Sequence, residues 1–343
     1  MGNLSIAEQL RNLEQHHHYY NDPGARKRGH KIIDEALKVL GVSRGSPTAK
    51  NNIEIIQNTA HETRKSNEAK FVTQLIGVIY TGARMAQQPE IPKDKEPTAE
   101  DFKHRPWAKD HIDYNQNAFI DSKNVPQIRP KFLPYGTTAK ENPSLTGCAP
   151  DLLFGLSHDL LPPFQRLMYH RYGCSITKGI YHAFFLVEFK TPEELFDDAV
   201  IQSMRGGSAL VNNRHRWNVE KSNLLPSPEP NLAAVYSENH GESQPDEESW
   251  VFSMACSPSL TQSYVHWREK WGDNVVFWHS SLLMDYNFQY GRETATEMFQ
   301  KHFNNILDWG AKQVPRIIED TNKLTSSRAP NEELPQQKKP RIE

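Results

Sequence analysis

Cysteine is scarce: Cys148, Cys174 and Cys256 are the only three in 343 residues. Their odd number and the absence of CxxC spacing argue against a disulfide scaffold and a structural zinc site. They fit a reducing intracellular compartment, nuclear or cytoplasmic. No apolar run is long enough for a transmembrane helix, so no membrane partner is expected. The N-terminus has no apolar signal core. Met1-Gly2 does not open a myristoylation signal, because Ile6 stands where Ser or Thr is needed. Charge is nearly balanced, at -2, so nucleic-acid binding would have to come from local patches. There is no internal repeat.

What is present is modest. Hydrophobic residues make up 37% of the chain and the mean hydropathy is low. That composition predicts a real core with long polar, weakly ordered segments. The length suits one large domain or two small ones.

From the N-terminus, Ser5 and Glu8 have capping-box spacing, and Ile6, Leu10 and Leu13 share a face, so residues 5–20 read as a helix. His16-His17-His18 reads as solvated helix surface. Asn21-Asp22-Pro23-Gly24 is a breaker, a second helix is expected over 27–40, and a third over 48–63. Ser66-Asn67-Glu68 opens a further helix to Tyr80. There Glu68 is either an acidic residue favoured by the helix dipole or a partner of the Phe71 and Leu75 stripe. Residues 85–146 are polar and punctuated by proline, with a short strand expected near Gln127–Leu133. Asp151–Leu156 reads as a buried strand. Residues 157–180 form an insertion, and Tyr181–Lys190 a second strand bounded by Thr191-Pro192. Thr191 and Pro192 start a helix to about Asn212, with Leu195, Ala199, Gln202, Gly206 and Ala209 on one stripe. Residues 218–248 read as a flexible loop. Trp250–Cys256, Ser263–Trp271 and Val275–Asn287 read as a three-stranded meander. A helix over 292–309 resumes at 311–324, and the tail ends in Lys338-Lys339-Pro340-Arg341, a nuclear-import-like run.

The chemistry gathers on Pro150-Asp151 and on Glu188-Phe189-Lys190. Strand residues i and i+2 share a face, so Glu188 and Lys190 project together while Val187 and Phe189 pack behind. Alone, Asp151 is an ordinary strand-end residue, Glu188 and Lys190 an exposed ion pair, and Gln202 a helix-packing amide. Together, two carboxylates and a lysine converge, and oxygen donors of this kind suit magnesium. The histidines His158, His170, His182, His266 and His279 show no ligand pattern.

The order Asn67-Glu68 on a helix, Pro150-Asp151, Glu188-x-Lys190, then Gln202 on a helix resembles the PD-(D/E)XK nuclease superfamily. More closely, it resembles the fungal PD-(D/E)XK nuclease-like domain proteins. The resemblance covers about residues 60–310. The 37-residue step from Asp151 to Glu188 implies that the hairpin carries an insertion.

The resemblance implies an α/β fold of α+β type, with a restriction-endonuclease-like core of mixed β-sheet flanked by helices. The implied divisions are an N-terminal helical extension (1–65), the nuclease-like domain (66–312) and a disordered tail (325–343). It also implies metal-dependent phosphodiester hydrolysis of nucleic acid, DNA before RNA. Asp151, Glu188, the Phe189 backbone carbonyl and Glu68 would hold Mg2+ or Mn2+. Lys190 would assist the attacking water and Gln202 would orient it. Arg205, Arg214, Arg216, Arg171 and Lys178 would contact the nucleic acid. The alternative is a nuclease fold without catalysis, serving as a nucleic-acid- or protein-binding module. The balanced charge favours that alternative, and the presence of all five site positions favours the enzyme.

Overall fold

The computed structural model describes residues 5–43, 50–63, 112–116, 118–120, 124–126, 145–157, 160–161, 166, 169, 176–177, 179–191, 195–224, 243–271, 275–288 and 293–326. Glu68, Arg171, Lys178, the strand expected at 127–133 and the tail beyond Ser326 lie outside these residues.

The first helix, α1 (Ile6–Gln15), opens on the expected capping box: Ser5 Oγ accepts from the Glu8 amide, and Glu8 Oε2 accepts from the Ser5 amide at 2.7 Å. It stops earlier than expected. His17 takes a left-handed backbone (φ 62°) and turns the chain into β1 (His18–Tyr20). The His16–His18 run is therefore not solvated helix surface. His16 and His18 are buried, and His18 stacks on Trp278 at 5.2 Å. Asn21-Asp22-Pro23 does not merely break a helix. Asp22 caps α2 (Pro23–Arg28), accepting from Ala25 N–H at 2.6 Å, with Pro23 at the first position. After Gly29 come α3 (His30–Gly41) and α4 (Lys50–Thr63).

The remaining elements are β2 (Ile112–Gln116), β3 (Leu152–Ser157), β4 (Ile180–Phe189), α5 (Phe196–Leu224), β5 (Ser243–Pro245), β6 (Val251–Cys256), β7 (Leu260–Trp271), β8 (Val275–Asn287) and α6 (Glu293–Ser326). The strand order is β1-β8-β7-β6-β4-β3-β2, with β5 paired to β7. The sheet is mixed: β4 runs parallel to β6 and β1 parallel to β8, and the other pairs are antiparallel.

Two expectations shift. The helix after β4 starts at Phe196 and extends through residues assigned to the 218–248 loop, and that loop's distal end supplies β5. Helix α6 is continuous through Pro315 rather than broken near residue 310.

Strand β4 is buried along its whole length, because helices cover both faces of the sheet. This explains its near-continuous apolar run. One face, with Phe154, Phe185, Val187 and Phe189, packs against α3 and α6, where Phe303 meets Phe185 edge-on at 5.2 Å. The other, with Leu153 and Leu186, packs against α1 and α5. Two glycines on α5 let the helix sit close. A Cβ on Gly206 would come 2.6 Å from Leu186, and one on Gly207 would come 2.4 Å from the His266 ring.

Candidate functional site

Asp151 sits where an antiparallel ladder opens. Strands β2 and β3 pair Gln116 with Leu152, and the isolated bridge Ile120–Cys148 falls in the same register four residues on. Ile120 and Cys148 exchange both backbone bonds, at 2.7 and 3.1 Å. Pro150, between that bridge and Leu152, has no N–H to give a ladder.

Asp151 then turns to the other neighbour. Its Oδ2 accepts the backbone N–H of Phe189 at 2.6 Å. The last β3–β4 pair is Leu152 with Val187, and one further step sets Asp151 opposite Glu188. On its other side Glu188 pairs with Ala255 of β6, and Lys190 N–H continues that ladder to the Cys256 carbonyl at 2.8 Å. Strand alternation therefore holds past the end of β4 and keeps Glu188 and Lys190 on one face, the face shared by Leu186 and α5. They are not an exposed ion pair: Glu188 is 2% exposed and Lys190 9%.

Helix α5 runs back along β4. Its Ala199 and Val200 pack with Ala255, level with Glu188, and Gly206 lies over Leu186. Gln202 is one turn before Gly206, about 6 Å along the helix. Glu188 is two residues beyond Leu186, a similar step of about 7 Å along the strand. The two displacements match, so half-buried Gln202 lies at the level of Glu188.

Arg205 joins this end of the sheet. Its Nη1 donates to Thr146 Oγ1 at 2.9 Å, on the segment leading into Asp151. Two thiols report the local field. Burial first, and the Glu188 carboxylate second, push Cys148 up to about 12, with Arg205 opposing. Burial also pushes Cys256 up to about 12; a bond with Thr261 opposes this and the Asp151 carboxylate adds to it. Both thiols are thereby kept protonated and inert at neutral pH.

Of the other predicted nucleic-acid contacts, the two described ones, Arg214 and Arg216, lie elsewhere. Arg214 is twelve residues beyond Gln202, about 18 Å along the helix. Its guanidinium stands over the Trp309 ring at 5.4 Å and donates to Gln313 Oε1 at 2.8 Å. Burial pushes its pKa down to about 10. Arg216 is half-buried further along α5. The histidines left without a role are structural where described. His266 lies 2.6 Å from Ser253 Oγ and 2.7 Å from Ser280 Oγ, and His182 is 2.8 Å from the Tyr169 hydroxyl.

The donors suit a hard cation: two carboxylates from adjacent strands at one sheet end, and magnesium usually takes only one or two protein carboxylates. Among the described residues no three His, Cys, Asp or Glu side chains gather into a metal-holding group. None of the described helices is long and apolar enough to cross a membrane.

The Ile120–Cys148 bridge and the Arg205–Thr146 contact had no signal in the sequence. The bridge closes the polar, proline-punctuated segment onto its own end, and the Arg205 contact joins that segment to α5. Comparison of the chain with protein-family models and with curated proteins finds no match.

Proposed function

We propose that the chain is a metal-dependent nuclease with a restriction-endonuclease-like core, hydrolysing phosphodiester bonds in nucleic acid, DNA before RNA. The observation that carries the reading is the pairing of Asp151 with the end of β4. It brings Asp151 beside Glu188, with Lys190 on the Glu188 face and Gln202 at the same level. The succession of an antiparallel β3–β4 pair, helix α5 and a parallel β6 supports it too.

Asp151 and Glu188 would hold Mg2+ or Mn2+, with the Phe189 carbonyl and Glu68 as further candidates. When bound, the ion supplies charge neutralisation on the phosphate and a water of lowered pKa. Asp151 is oriented for this by the Phe189 amide. Lys190 would orient the attacking water or neutralise charge gathering on phosphorus-bound oxygens. Water forms the new P–O bond as the ester P–O bond breaks; the water releases a proton and the departing oxygen takes one up. Gln202 holds the water or a neighbouring side chain, and Arg205 contacts a phosphate at the rim.

The low exposure of Glu188 and Lys190 also favours a second reading, a nuclease fold that binds nucleic acid or protein without cutting. The test is incubation of purified protein with plasmid and single-stranded DNA, with magnesium, manganese or chelator. Cleavage that is lost on chelation and in Lys190→Ala supports the enzyme. Equal activity in the variant sinks it, and binding without cleavage selects the second reading.

A further inference from the structure

The far end of the β7–β8 hairpin carries an aromatic strip that the proposed site does not use. Trp271 is 45% exposed and meets Phe277 edge-on at 6.1 Å. Phe277 in turn contacts His17 at 4.8 Å and Tyr19 at 5.8 Å. The strip is held rigidly. Arg28 stands over the Trp271 ring at 5.8 Å, and its guanidinium is clamped by fully buried Glu269 at 2.5 and 3.1 Å. His279 holds the same carboxylate at 2.7 Å, and Ser243 donates to it.

The rim is cationic. Helix α2 ends in Arg26-Lys27-Arg28, exposed like His30 and Lys31; Arg26 is tied to the Leu282 carbonyl at 3.2 Å, away from Trp271, so Lys27, Arg28, His30 and Lys31 form the rim. Of the described carboxylates nearby, Glu269 is engaged by Arg28 and His279, Glu247 by Lys31 at 3.2 Å and Asp246 by His215 at 2.8 Å, while Glu14 and Asp22 lie on the Tyr19 side of the strip. What faces solvent is a row of flat rings bordered by cations, a combination that suits a flexible polyanion with stackable bases.

The strip is separate from the carboxylates. Thr261 of β7 pairs with Cys256 at the carboxylate end of the sheet, and Trp271 is ten residues further on, about 33 Å at strand rise. It also lies on the other face: His266 meets α5, whereas Trp267, Glu269 and Trp271 alternate away from it.

We infer that this strip is a second nucleic-acid contact, taking single-stranded segments by base stacking on Trp271 and Phe277 with phosphates against Lys27 and Lys31. The ligand class rests on the nuclease reading, but binding at the strip does not need the carboxylates. The test uses the full chain in chelator and a fluorescent oligothymidylate of about 15 nucleotides, with a hairpin duplex as control. Wild type should bind the single strand more tightly than the duplex, with quenching of tryptophan fluorescence. Trp271→Ala and the pair Lys27→Glu, Lys31→Glu should each weaken binding by about tenfold, the charge pair flattening the salt dependence. Unchanged affinity in both variants overturns the inference. So does a wild-type dimer that Trp271→Ala dissociates, since the strip would then be a contact between copies. Failure of cleavage with binding intact would sink the nuclease reading and leave the strip standing. The Lys27, Lys31 pair lies on an exposed surface and does not depend on the fold tolerating loss of Trp271.

Discussion

The Asp151 carboxylate accepts the backbone N–H of Phe189 at 2.6 Å, tying the residue before β3 to the end of β4. One bond thus serves both the closure of the hairpin and the placement of a carboxylate beside Glu188.

This bond predicts a split between two substitutions. Asp151→Ala leaves the Phe189 amide without its acceptor and should lower stability by about 1–3 kcal/mol. Asp151→Asn keeps an acceptor oxygen and should lose much less. Urea midpoints of the two variants check this. Equal losses would mean that the bond does not position the carboxylate.

The approach of α5 to the sheet predicts a steric effect. A methyl on Gly207 has no room beside the His266 ring, at 2.4 Å. Gly207→Ala should cost about 1–3 kcal/mol as the helix is forced outward, although alanine is the better helix former. Gly41, with open space around it, is the control, and Gly41→Ala should not destabilise comparably. Thermal unfolding of both variants gives the answer.

The buried histidines predict an acid-sensitive fold. Burial holds His18 and His266 down to about 3, from an ordinary 6.5. Both are neutral in the fold, so the unfolded chain takes up their protons first as pH falls. Stability should be level above about pH 6.5, then fall continuously towards pH 3, by about 2 kcal/mol per histidine at pH 5. Replacing His266 by Gln should flatten that slope. An undiminished slope in the variant would assign the acid sensitivity elsewhere.

Arg205 predicts a binding effect rather than a chemical one. Its contact with Thr146 places it at the rim, so Arg205→Gln should raise KM severalfold, change kcat little, and reduce the salt dependence by about one phosphate contact. Steady-state kinetics at several salt concentrations separate this from a loss in kcat, which would place Arg205 among the reacting groups.

Much of this site was legible in the sequence. Pro150-Asp151 and Glu188-x-Lys190 are strand-end patterns with period two, and the meander over Val251–Asn287 alternated clearly enough to be read. Helix α1 announced itself through Ser5 and Glu8. What could not be read depended on tertiary partners. His16–His18 looks like a polar run on a helix, and only pairing to β8 turns His18 into a strand residue. β2 lies in a polar stretch, and its identity comes from β3. Arg214 reads as a surface cation until Trp309 and Gln313, about a hundred residues later, enclose it. The length of α5 was hidden because its last turns carry no strong apolar stripe and are held by Trp217 and by Lys221, which reaches Asp320 at 3.4 Å.

The most direct measurement is single-turnover cleavage of DNA in manganese by wild type and by the near-isosteric Glu188→Gln, with urea unfolding run in parallel. The nuclease reading predicts chelator-sensitive cutting by wild type and a loss of at least about 100-fold in the variant, with the fold retained. Equal rates, or no metal-dependent cutting by wild type on any single- or double-stranded substrate, would contradict it.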